Sequence, residues 1–170
     1  MELVELCTLE TWKALEDEIY RRSGLCASVF NTEGVRINPI SAWPNRLCPE
    51  IKANPKGQSF ICATAHMNIA ILAREANEPV IEECDAGMIK LVVPIVANGE
   101  FVGSVGGCGL LLDDGEVDTF LVNKITGMDE DLLESLSDGM PALTMDQVQA
   151  LGQYIHQEVG KIVAAYEASV

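Results

Sequence analysis

Apolar residues recur along this chain with two different periods, and the switches between them lay out its elements. Leu9, Trp12, Leu15 and Ile19 fall at helical spacing. Thr8 stands as N-cap, Glu10 suits the first turn, and Gly24 ends the run. Residues 25–30 are a short apolar run, and Thr32-Glu33-Gly34 turns it back into Val35-Arg36-Ile37, the pattern of a hairpin. The stretch 38–45 has no period and holds Pro39, Trp43 and Pro44, so it reads as a loop. Cys48-Pro49-Glu50-Ile51 opens a short helix with Pro at its first position. A longer helix over 58–76 carries one apolar stripe of Ile61, Ala65, Ile69, Leu72 and Ala76.

The second half alternates more sharply. Residues 79–84 and 89–96 read as strands, and Asn98-Gly99 joins the latter to a partner over 101–110, the strongest short signal for a hairpin. Glycines 103, 106, 107 and 109 weaken that partner strand, so their use must be to let a helix or a ligand approach the backbone. Helices over 117–125 and 129–136 follow. The last helix, about residues 145–168, starts at the capping box Thr144-x-x-Gln147. Its stripe of Val148, Leu151, Ile155, Val159, Ile162 and Tyr166 suits covering a sheet or pairing with its copy in a homodimer. These elements predict a single α+β domain over residues 1–170, with a central antiparallel sheet flanked by helices.

Composition narrows the function classes. At 170 residues the chain can bury a sizeable core. Its net charge of −15 repels phosphates, which argues against nucleic acid and anionic membranes as partners. No apolar run is long enough to span a bilayer, and the first residues carry no basic run. A cytoplasmic location with reduced cysteines is therefore expected.

Four of the six cysteines, Cys48, Cys62, Cys84 and Cys108, lie between Leu47 and Leu110. No Cys-x-x-Cys occurs, so zinc-ribbon, thioredoxin and ferredoxin spacings are all missing. A metal site would need ligands from separate elements: those four cysteines, with His66 as a further candidate because it stands four residues after Cys62 on a helix. Thiolates there would favour zinc, copper(I) or an iron–sulfur cluster. A thiol-lined pocket requires no cofactor at all, and Cys7 and Cys26 read as packing residues. Trp43, in its loop, is either a lid on the core or a pocket wall. A small thiol-dependent enzyme is a third class, but His66 and a surface His156 are the only histidines and no group to orient a base can be identified. The chain is read as non-enzymatic.

At these residues the sequence resembles the PocR-type sensory domain. The resemblance rests on an ordered series: Trp12 with Leu15, Ser23-Gly24-Leu25, Asn31-Thr32-Glu33-Gly34, Leu47-Cys48, and Gly57 with Cys62. It continues with the run from Pro79 through Cys84-Asp85-Ala86-Gly87-Met88, then Val93-Pro94-Ile95, Asn98-Gly99 and the run from Phe101 to Gly107. It covers about residues 10–165. The resemblance implies a PAS-like fold that senses small molecules, such as diols, in bacterial signalling. It also implies that Cys48, Cys62 and Cys84 converge on the binding pocket; Trp43, from its place in the loop alone, is a further candidate ligand contact. Cys108 departs from the pattern, where Gln is expected, and favours a metal or cluster. No DNA-binding or catalytic module follows, so output is expected through a separate signalling protein or through dimer geometry.

Overall fold

The computed structural model describes all residues from Met1 to Val170. Two short helices' worth of chain starts the fold: α1, Leu3–Leu6, and α2, Leu9–Ser23. The Thr8 side chain accepts from Thr11 N, and Gly24 closes α2 in the left-handed region. Trp12 is fully buried and its indole donates to Leu3 O at 3.0 Å, pinning α1 onto α2. Strand β1, Cys26–Phe30, follows.

The hairpin expected over 25–37 is reduced to a single bridge between Phe30 and Arg36. The reason is local. Val29 O accepts from Ile37 N, but Val29 N donates instead to the buried Glu16 carboxylate at 2.8 Å, so a side chain from α2 takes the place of a strand partner.

Asn45 starts α3, Leu47–Ala53, by accepting from both Leu47 N and Cys48 N, so Pro49 lies inside the first turn rather than opening it. Then α4, Pro55–Gly57, runs through a π-helical turn, Gln58–Ala63, into α5, Thr64–Ala76. That wider turn overturns the expected stripe. A π-turn adds one residue, so the buried face runs Ile61, His66, Ile69, Ala73, while Leu72 is left 45% exposed. Cys62 and His66 consequently do not stand in the simple four-residue relation of an α-helix.

Strands β2, Val80–Glu83, β3, Ile89–Ala97, and β4, Glu100–Cys108, complete a four-stranded antiparallel sheet in the order β1-β4-β3-β2. Asn98 and Gly99 both take positive φ, as the tight turn requires. The short strands β5, Leu111–Leu112, and β6, Ala142–Leu143, pair in parallel around α6, Thr119–Thr126, and α7, Glu130–Ser137. Helix α8, Met145–Glu167, has the expected capping box at Thr144 and Gln147. Here His156 is half-buried rather than a free surface residue. No helix is long and apolar enough to cross a membrane.

The sheet separates two chemically different regions. Leu91, Val93, Ile95, Val29 and Val105 face α1, α2 and α8 in the main core. Val92, on the other face, packs against Ile69 and Ala73 of α5. A second core of Leu47, Ile51, Ile61, Met88, Val122 and Leu133 sits beside it under α3, α6 and α7.

The glycines of β4 admit close neighbours: a Cβ on Gly103 would meet Phe30 O at 2.4 Å and Leu3 of the covering helix α1 at 3.1 Å, and one on Gly107 would meet Leu25 at 2.8 Å. A Cβ on Gly106 would meet Leu91 O at 1.8 Å. Gly106→Ala is therefore expected to cost about 3 kcal/mol or more. Gly160→Ala, on α8 with nothing within 4 Å, should stabilise the fold by about 0.5–1 kcal/mol. Chemical denaturation of both variants checks the contrast.

Candidate functional site

On the α5 side of the sheet lies a cavity of about 510 Å³, within the usual range for small-molecule sites. Four elements bring the sequence-predicted residues to its wall. Cys48 comes from the first turn of α3, Cys62 from the π-turn, Cys84 from the turn after β2, and Cys108 from the end of β4. His66 of α5 joins them. Trp43 is 42% exposed and is not part of this wall.

Asn45 ties the cysteine wall together. Besides capping α3, its amide nitrogen donates to Gly109 O and reaches Cys48 Sγ at 3.2 Å and Met88 Sδ at 3.5 Å. Gly109 is required there, because its φ is +105° and a Cβ would lie 2.2 Å from Pro44 Cγ. The loop 38–45 thus braces the cavity through Asn45 and Pro44.

The structure adds residues that spacing did not single out. Arg36, Lys52 and Lys90 all line the cavity, together with Phe30. His66 stacks on Phe30 with ring centroids 3.7 Å apart, and the Arg36 guanidinium and Lys90 ammonium lie 5.0 and 5.1 Å from the same ring centroid. Arg36 also donates to the buried Ser28 hydroxyl. One signal for this was legible: Lys90 interrupts an otherwise apolar β3, and a charge inside a buried strand needs a reason. Cys26 is a second omission. The sequence suggests only packing for it, yet it stands directly opposite Cys108 across β1 and β4.

The electrostatics follow from burial and from those cations. Burial pushes the thiols of Cys48, Cys62 and Cys84 up, that of Cys84 to about 11, which keeps them protonated at neutral pH. Cys108 goes the other way. The opposed Cys26 thiol favours its thiolate most, against burial, and Lys90, Arg36 and Lys52 add to the effect, while Cys26 itself is pushed up. Burial, helped by the same three cations, lowers His66 to about 3. Its imidazole is neutral at pH 7, and its buried Nδ1 has no hydrogen-bond partner.

The metal reading finds no support in this geometry. No three His, Cys, Asp or Glu side chains are grouped so as to hold an ion. The candidate ligands Cys48, Cys62, Cys84, Cys108 and His66 are spread around a cavity wall, whereas zinc or a cluster needs them to converge at bonding distance. The donor types suit zinc or a cluster, but their arrangement does not. Protein purified without oxygen should therefore carry no stoichiometric zinc or iron and show no visible absorption band, as metal analysis and a spectrum would establish.

His66 also makes stability depend on pH. Its folded value lies below the 6.5 of a free imidazole, so its contribution is complete above about pH 6.5 and is lost as pH falls toward 3. Through this group alone the fold should be about 2 kcal/mol less stable at pH 5 than at pH 7. His66→Phe keeps the stack on Phe30 and removes the titration, so urea unfolding at the two pH values should show a smaller loss in the variant than in the parent chain.

Neither the curated proteins nor the solved structures contain a match. Residues 5–165 match the family described as the sensory domain found in PocR. With nearly its whole length matched, and with an α+β fold of the PAS-like kind, the chain belongs to the PocR sensory-domain family.

Proposed function

We propose that this domain is a non-enzymatic sensor that binds a small molecule in the cavity between the sheet and the helices α3 to α5. The family is one of signalling, ligand-binding sensory domains. The observation that carries the proposal is the cavity itself. It is roughly 510 Å³, built from five separate parts of the chain, and lined by apolar side chains with a few polar groups turned inward. Cys48, Cys62 and Cys84 supply soft, neutral contact surface, and the backs of these side chains pack on the second core. Trp43 belongs to the bracing loop, and its contribution would be to hold that loop rather than to touch the ligand.

A thiol enzyme is disfavoured by the same geometry. His66 has no partner on Nδ1 to orient it as a base, and it stacks on Phe30 instead. Signal output would pass through the sheet. Lys90 and Val92 face the cavity side while Leu91 and Val93 pack toward α8, so a shift of β3 on binding reaches the terminal helix directly. Helix α8 would then present a different surface to a separate signalling protein or to a second copy of this chain. Such a shift needs a ligand that favours one packing over the other. The expected setting is the cytoplasm, where the thiols stay reduced.

The test is to plug the cavity. Ala65 lines it from a half-buried position, so Ala65→Trp should fill space while the fold is kept, as circular dichroism would report. A screen of small molecules by thermal shift should find compounds that raise the melting temperature of the parent chain and not of Ala65→Trp. Hits that stabilise both equally would sink the proposal.

A further inference from the structure

The chain carries 26 acidic and 11 basic residues, yet three of its cations are turned into one cavity. Arg36, Lys52 and Lys90 line it from the segment after β1, from α3 and from β3. Lys90 is only 7% exposed. The ion pairs of this fold lie elsewhere, on α2 and α8: Lys13 with Asp17, Arg21 and Arg22 with Glu18, and Lys161 with Glu158. Arg36 has the Ser28 hydroxyl as its neutral partner. Neither lysine ammonium has a hydrogen-bond acceptor in the protein.

Arg36 and Lys52 are half-buried and the Lys90 ammonium keeps contact with the cavity's water, so all three are open to a ligand, and proteins commonly pair cations gathered in this way. The nearby acids do not do so here. Glu82 is directly across β2 from Lys90, but it is exposed and forms no ion pair with it. Glu33 stands at the rim and is exposed. Cys108 provides at most one negative charge for three cations. The wall also holds buried polar atoms with no partner, Gln58 Oε1 and His66 Nδ1. Ile51, Ile61 and Met88 supply an apolar surface beside them.

We propose that the cavity is a site for a small organic carboxylate, its charged end held by Lys90, Arg36 and Lys52 and its carbon body against Ile51, Ile61 and Met88. This rests on the sensor reading and narrows it. The apolar wall separates a carboxylate from inorganic phosphate, since a carboxylate can carry a carbon body to cover Ile51, Ile61 and Met88 and inorganic phosphate is polar on every side. It also differs from the neutral diol that the family resemblance implies.

The experiment is calorimetric titration of the full chain with matched probes: hexanoate, hexanamide, propane-1,2-diol and inorganic phosphate. Hexanoate should bind about tenfold or more tighter than hexanamide, as a charge-assisted contact predicts. Lys90→Met should remove most of that preference. Lys52→Met, at a half-buried helix position, serves the same purpose if Lys90→Met fails to fold. Equal or tighter binding of hexanamide or the diol would overturn the carboxylate assignment and leave the cavity a ligand site. Tighter binding of phosphate would overturn it in favour of a phosphoanion. If none of the four binds, the carboxylate assignment falls. The sensor reading falls with it only if the Ala65→Trp comparison also finds no cavity-dependent ligand.

Discussion

The side chains of β3 from Ile89 to Ile95 are all buried, and the rest of the fold follows from having to cover both faces of that one strand. On one side the covering is apolar throughout, with Leu91, Val93 and Ile95 packed under α2 and α8. On the other side Lys90 and Val92 need two different coverings. Val92 gets Ile69 and Ala73. Lys90 gets a cavity, because an ammonium cannot be packed against hydrocarbon without loss. The space for a ligand is in this sense a consequence of placing one charge near the start of an inner strand.

The π-turn is the second half of that arrangement. Had the helix from Pro55 continued with α-helical spacing, Ala65 and Leu72 would face the sheet and His66 would turn away from Phe30. The extra residue rotates the remainder of the helix, bringing His66 onto Phe30 and exposing Leu72. Thr64 stabilises the wide turn by donating its hydroxyl to Ser59 O at 2.9 Å, five residues back. Wide turns of this kind are often found at functional sites, where they aim a side chain that regular spacing cannot.

Much of the framework was legible in the chain. Asn98-Gly99 located the β3–β4 turn, Thr144 and Gln147 located the start of α8, and its stripe of Val148, Leu151, Ile155 and Val159 is buried. These are local signals, each complete within a few residues. Three of the cavity cysteines were also found, through resemblance rather than through spacing. What escaped was long-range or depended on phase. Nothing in the run Gln58 to Ala76 announces one additional residue in a turn. Glu16 replacing a strand partner at Val29 depends on how α2 lies over β1. Arg36, Lys52 and Lys90 stand far apart in sequence, so only the fold could show that they share a space.

The inward-turned cations have a kinetic side. The cavity draws three positive charges inward and leaves an outer surface more acidic than the chain's own total of −15. An anion approaching this molecule is repelled at long range and attracted only once inside. Salt screens the exposed field more than the buried one. Association should then quicken as ionic strength rises, the reverse of ordinary electrostatic steering, while escape from the cavity changes less. A neutral molecule would meet no such barrier, so entry and retention would select for opposite charges.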